Sequence, residues 1–221
     1  MSLVETEWLE ENLHNVKIID CSWHMPQTKR NGFIEYQEVH IPNAIFFDLD
    51  KNSKKKTQLP HMLVDKKEWE KIVSKMGIRK KDILVIYDNS DVVSSCRCWF
   101  NFIYFGHDPK LTFVLNGGLK KWIREKREVT NKITNTNLSK YESFEIKELV
   151  KDKKIIDQNI DIPRFKVIDA RSKERFDGKV PEPREGLRSG NIENSKCIPF
   201  TLCINEDRTF KNKEELKSVF K

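Results

Sequence analysis

Val16-Lys17-Ile18-Ile19-Asp20 and Phe165-Lys166-Val167-Ile168-Asp169 are one short pattern written twice. Each is an apolar run of strand length that ends on a carboxylate. His40-Ile41-Pro42-Asn43-Ala44-Ile45-Phe46-Phe47 begins 20 residues after Asp20. Asn191-Ile192-Glu193-Asn194-Ser195-Lys196-Cys197-Ile198-Pro199-Phe200 begins 22 residues after Asp169. Two short strands at matching spacing, joined by a polar, helix-prone stretch, predict two homologous domains.

The first copy continues as alternating helices and strands. Lys66 to Met76 carries Trp69, Ile72, Val73 and Met76 at helical spacing, and Gly77 ends that helix. Ile83-Leu84-Val85-Ile86-Tyr87 is a continuous apolar run suited to a central parallel strand. The polar stretch from Asp88 to Ser95 follows it, at the strand end where open α/β sheets bind their ligands. An aromatic helix from Cys98 to Phe105, a strand Thr112 to Leu115, and a helix Leu119 to Arg127 after Asn116-Gly117-Gly118 complete the copy. The fold class is therefore α/β, a central parallel sheet flanked by helices and repeated in tandem.

Domain one is expected over residues 1–132, an Asn- and Thr-rich linker over 133–148, and a second, shorter copy over 149–221. In the second copy the short strand is placed at Ile198 to Phe200 and a helix at Lys213 to Lys221. The first copy runs 68 residues from Asp20 to Asp88, and the same offset from Asp169 reaches position 237, past Lys221. The second copy is expected to lack its central strand and the loop after it.

Composition narrows the class. With 38% hydrophobic and 34% charged residues, the chain has enough apolar side chains for packed cores. No run approaches the roughly 20 apolar residues of a membrane span. The acidic, amphipathic N-terminus resembles neither a secretory signal nor an Arg-rich transit peptide, so a cytoplasmic location is expected. The five cysteines, Cys21, Cys96, Cys98, Cys197 and Cys203, are odd in number and irregularly spaced. They suggest neither a disulfide framework nor a metal site. The net charge of +7 is spread along the chain without a nucleic-acid recognition motif, so a lysine-rich solvated surface is preferred to nucleic-acid binding.

His40-Ile41-Pro42-Asn43-Ala44, Asn116-Gly117-Gly118-Leu119 with Trp122, and Asp169-Ala170-Arg171 with Arg175-Phe176, Glu182-Pro183-Arg184 and Gly186 resemble, in this order, the signatures of the tandem rhodanese-domain sulfurtransferases. Asn43, Asn116 and Asn191 depart from the family's glycine, aspartate and histidine. The resemblance implies a persulfide mechanism: a cysteine thiolate takes sulfur from 3-mercaptopyruvate or thiosulfate and passes it to cyanide or to a thiol acceptor such as thioredoxin or a small thiol. No cofactor, metal, nucleic acid or membrane is implied. Arg175 and Arg184 match the two arginines that bind the substrate carboxylate in the 3-mercaptopyruvate type.

The nucleophile's position in the first copy falls on Asp88, which cannot form a persulfide, as in the family's inactive first domain. Cys96 opens the following helix and is read as a packing thiol, Cys197 as buried, and Cys203 as part of a connector. The catalytic cysteine is thus expected beyond Lys221. His40 carries two readings, a catalytic relay or a histidine that orders its loop; His14, His24, His61 and His107 are read as structural. A rhodanese-fold module retained for protein binding, without catalysis, is the alternative function.

Overall fold

A computed structural model describes residues 2–183 and 186–221, which divide into two compact units, Met1–Lys147 and Glu148–Lys221. The first unit holds strands β1 (Leu3–Val4), β2 (Lys17–Asp20), β3 (Ala44–Phe46), β4 (Leu84–Tyr87) and β5 (Thr112–Leu115). Helices α1 (Thr6–Glu11), α2 (Gly32–Glu38), α3 (Lys66–Lys75), α4 (Ser95–Tyr104) and α5 (Gly118–Arg124) alternate with them. The strands form one parallel sheet in the order β1-β5-β4-β2-β3.

Every residue of β4 is buried, as a strand covered on both faces requires. Side chains alternate across the pleat, so neighbouring residues feed opposite faces. Ile19, Leu84 and Ile86 pack with Trp69 and Val73 of α3 and Phe102 of α4. Ile18, Val85 and Tyr87 pack with Leu9 of α1, Tyr36 of α2, and Leu119 and Trp122 of α5. Removing a fully buried side chain such as Leu84 by substitution with Ala costs about 2–5 kcal/mol in sites of this kind. Local signals set the helix ends. Asp65 accepts the Glu68 N–H at 3.0 Å at the start of α3, and Asn31 accepts those of Phe33 and Ile34 at the start of α2. Gly77 follows α3 at φ +67°, a backbone conformation that favours glycine.

The stretch expected to be a linker belongs to the first unit. It has little regular structure, yet Tyr141 is 3% exposed and sits in the core that α3 and α4 build. Ser139 donates to the Ile78 carbonyl at 2.6 Å, Ser143 N–H to Glu70 at 2.8 Å, and Ile146 N–H to the Tyr104 carbonyl at 2.8 Å. The Asn and Thr content that suggests a solvated linker instead supplies side chains to an ordered strap. The first unit therefore reaches Lys147 and not Lys132.

The second unit contains α6 (Lys153–Asp161), β6 (Ile168–Asp169), α7 (Lys173–Phe176), β7 (Lys196–Cys197) and α8 (Lys213–Val219). Its sheet is the single parallel pair β6–β7. The strand expected at Ile198 to Phe200 lies at Lys196–Cys197, and Phe200–Cys203 is a 3-10 turn. Pro199 has no N–H to continue a ladder. Cys197, expected to be buried, is half-buried. Ile198 is 4% exposed, whereas Ile168 and Leu202 are 45% and 50% exposed, so little apolar surface is covered. Among the described residues no helix is long and apolar enough to cross a membrane.

Limited proteolysis is expected to trim the second unit first and to leave a resistant fragment ending near Lys147. A resistant fragment ending near Lys132 would show that the strap is not held. A second expectation concerns Asp20, which is 1% exposed and pushed by burial up to about 6. A carboxyl raised in the folded state stabilises the fold most below its ordinary range, and that contribution is lost as pH rises through about 6. The shift corresponds to a loss on the order of 2–3 kcal/mol. Asp20→Asn is therefore expected to gain Tm relative to the parent chain at pH 8 and not at pH 4. Identical pH profiles of the two chains would show that Asp20 does not titrate in this range.

Candidate functional site

Parallel strands deliver their following loops to one edge of a sheet, and in the first unit the loops after β2, β3 and β4 meet there. They enclose a cavity of about 380 Å³ lined by Trp23, Leu49, His61, Met62, Val93 and Arg97, among others. His61 Nε2 lies 2.8 Å from Asp50 Oδ1, and Trp23 Nε1 donates to Asp50 Oδ2 at 3.0 Å. The Trp23 and His61 rings meet edge to face at 4.8 Å. The Asp50 carboxylate thus fixes the His61 ring in the cavity wall.

Backbone strain gathers at the same place. His61 sits at φ +55° and Val93 at φ +51°, and a β-branched residue seldom adopts that region. Arg97 donates from Nη2 to the His61 carbonyl and lies over the Phe100 ring at 5.6 Å. Its Nε is buried without a hydrogen-bond partner, and burial holds the guanidinium below its ordinary range. A network behind the cavity fixes the loops. Glu35 accepts from His24, from Arg30 at 2.7 and 2.8 Å, and from Asn89 at 3.0 Å.

The loop after β4 is closed by its own aspartate. Asp88 Oδ1 accepts the Ser90 N–H and Oδ2 the Ser95 N–H, both at 2.8 Å. Here the converging N–H groups hold an internal carboxylate. Cys96 lies in the first turn of α4, but burial, with the Asp88 charge adding, pushes its thiol up to about 12. Burial outweighs any help from the helix end. Cys21 is pushed up by burial and by the adjacent Cys98 thiol, and Cys203 by burial. Cys98 is fully buried. Cys197 directs its thiol at the Arg171 carbonyl, 3.9 Å away.

His40, weighed as a relay, has no open face. It is fully buried, stacked on Tyr36 at 4.1 Å, with Nδ1 at 2.5 Å from the Tyr36 carbonyl and Nε2 at 3.2 Å from that of Lys132. Both nitrogens meet backbone oxygens, so His40 fastens the segment that leaves α5. His61, which the sequence reads as structural, lines this carboxyl-edge cavity, and His24 lines a neighbouring one. The available signal was position: a histidine in the polar loop after a strand of the first copy lies on the ligand edge.

In the second unit Arg175 holds Glu182 through Nε at 3.2 Å and Nη2 at 2.5 Å. Arg171 bonds Asp169 and reaches Glu182 at 2.7 Å. The Glu182 side chain is 4% exposed, and the Arg175 hydrogen bond leads the causes that lower its pKa. The carboxylate on Arg175 is thus internal, with Nη1 the guanidinium nitrogen not engaged in that pair. Arg184 lies outside the described residues. Among the described residues no group of three His, Cys, Asp or Glu is placed to hold a metal ion.

These features define an α/β protein whose parallel sheet carries its functional loops at the carboxyl edge. The rhodanese-like domain model matches residues 5–125. Thiosulfate/3-mercaptopyruvate sulfurtransferase 1, mitochondrial, of Arabidopsis thaliana is 39% identical, over 99% of this chain and 63% of its own length. The Mus musculus 3-mercaptopyruvate sulfurtransferase is 32% identical, over all of this chain and 76% of its own. The chain thus spans about two thirds to three quarters of these relatives. The crystal structure of an Escherichia coli protein, described as a 3-mercaptopyruvate sulfotransferase with the rhodanese fold, superposes with a TM-score of 0.90 at 27% identity, covering 100% of this chain and 82% of that one. The chain belongs to the rhodanese family, and it is homologous to the 3-mercaptopyruvate sulfurtransferases within it.

Thiol labelling of the folded chain tests the cysteine environments. With a maleimide at pH 8, Cys197 and Cys203 are expected to react first, and Cys21 and Cys98 only on unfolding. Rapid labelling of Cys96, read by peptide mass spectrometry, would contradict its assignment as a protonated packing thiol.

Proposed function

We propose that the protein is a sulfurtransferase that moves a sulfane sulfur from 3-mercaptopyruvate, or from thiosulfate, through a cysteine persulfide to a thiol or cyanide acceptor. The observation that carries this reading is the match to 3-mercaptopyruvate and thiosulfate sulfurtransferases along essentially the whole chain, at 39% and 32% identity for the two relatives above. In the transfer, the cysteine thiolate attacks the donor sulfur and the carbon–sulfur bond of 3-mercaptopyruvate breaks. Its electron pair goes to the pyruvate enolate, which then takes up a proton. The cysteine keeps the sulfur as a persulfide anion and hands it to the acceptor.

The persulfide cysteine is proposed to lie beyond Lys221. Cys21, Cys96 and Cys203 are pushed toward the thiol form, Cys98 is fully buried, and Asp88 fills the corresponding loop of the first unit. Arg175 and Arg184 are proposed to bind the donor carboxylate, with Glu182 orienting Arg175. An acceptor such as thioredoxin or a small thiol fits a reducing compartment, and the five free cysteines fit one too, the cytoplasm being our reading.

The 221-residue chain is expected to show no turnover above a protein-free control with 3-mercaptopyruvate and a thiol. A polypeptide extended to the length of the relatives is expected to turn over, and to stop when the added loop's cysteine is replaced by serine. In that longer protein Arg184→Ala is expected to reduce kcat/KM for 3-mercaptopyruvate about 10–100-fold, and less for thiosulfate. An inactive full-length protein would favour a non-catalytic binding module. Equal losses with both donors would remove the carboxylate role of Arg184.

A further inference from the structure

At the opposite end of the first unit's sheet, away from the loops described above, lies a second cavity of about 400 Å³. The N-terminal end of β2, the turn after α3, and the strap at residues 134–139 build it. Three basic side chains line it, His14, Lys17 and Arg79, and no carboxylate does. None of the three forms an ion pair within the described residues; Lys17 is half-buried, and His14 and Arg79 are exposed at the rim. The rest of the polar wall is neutral, made of asparagine amides and serine or threonine hydroxyls from Asn43 and the strap.

The wall is fastened. Thr136 Oγ1 donates to the Lys75 carbonyl at 2.9 Å, Ser139 N–H to that of Ser74 at 2.9 Å, and Ser139 Oγ to that of Ile78 at 2.6 Å. A Cβ at Gly77 would stand 2.7 Å from the Asn137 carbonyl oxygen, so glycine is what lets the strap pass this close. The C-terminal end of a helix is partially negative and repels anions, and α3 ends beside this cavity. Its last carbonyls are occupied by the strap, so the cavity is presented with amides, hydroxyls and cations. Its volume is in the range of small-molecule sites, roughly 300–1,000 Å³.

We propose that this cavity binds a small phosphate-bearing anion of nucleotide size, with Lys17 and Arg79 as its charged contacts and the side-chain amides of Asn135 and Asn137 as neutral donors. The site is separate from the carboxyl-edge cavity and independent of the sulfur chemistry. Guanidinium and ammonium groups are the usual partners of phosphate oxygens, and Arg79 can pair with two at once.

The test is isothermal titration of the 221-residue chain with inorganic pyrophosphate and, separately, adenosine 5′-monophosphate. Saturable one-to-one binding that weakens with added salt is expected for at least one of them. Lys17→Gln with Arg79→Gln is expected to weaken it about 10–100-fold, the loss of charge-assisted contacts. Arg97→Gln, at the other edge, is expected to leave it unchanged. Should the double variant fail to fold, Arg79→Gln alone carries the test, because Arg79 is exposed and its side chain holds no other element. No saturable binding of either probe up to about 10 mM overturns the proposal. So does binding that the Arg79 variant leaves intact, and so does a short RNA that binds where neither small phosphate does.

Discussion

The carboxylate of Asp88 is divided between two backbone N–H groups, Ser90 on one side of the loop and Ser95 on the other. That pair of bonds turns the chain sharply at the end of the central strand and starts α4 over the sheet. Because α4 starts there, Cys98 and Phe102 fall into the core and Arg97 is turned toward the cavity. Because the loop is tight, Val93 is driven into an unusual backbone region. A nest of N–H groups at a strand end is a general anion receptor. In this unit the anion is built into the chain, and its charge adds to the burial that keeps Cys96 a thiol.

Strand and helix placement in the first unit was legible because its signals are local and repeat. The apolar run at Ile83 to Tyr87, the 3.6-residue spacing of Trp69, Ile72 and Val73, and Gly77 after them leave few other readings. α4 begins at Ser95, three residues before its aromatic face, because the Asp88 bonds extend it backward, and that contact is not visible in the pattern of α4 itself. The strap reads as a linker because it is rich in Asn and Thr; the partners that hold its Tyr141 lie about 35 to 70 residues away, on His107 and Ser74. The histidines show the same limit. His40 sits in a recognisable signature and is packed away, while His61 gains its partner Asp50 only through loop geometry.

The two units differ in how much of a sheet each contains. In the first, helices on both sides of a five-stranded sheet bury both faces of β2 and β4. In the second, two residues pair with two, and the helices around them leave large side chains such as Ile162 and Phe220 more than half exposed. Its firmest feature is electrostatic: Asp169, Arg171, Arg175 and Glu182 form a connected cluster at the end of β6. Ion pairs of this kind orient side chains well, but the desolvation of largely covered carboxylates offsets much of their attraction. A motif can therefore be locally well formed in a unit with a thin core.

The strap has a mechanical side. Traction on the chain from beyond Lys147 would load Ile146 on Tyr104, then Ser143 on Glu70, Tyr141 on Ser74 and Ser139 on Ile78. These fastenings would open one after another, as in peeling, instead of sharing the load as parallel strands do in shear. The sheet would feel the pull only after the last of them parts, so the strap acts as a series of breakable links between a tugged terminus and the core.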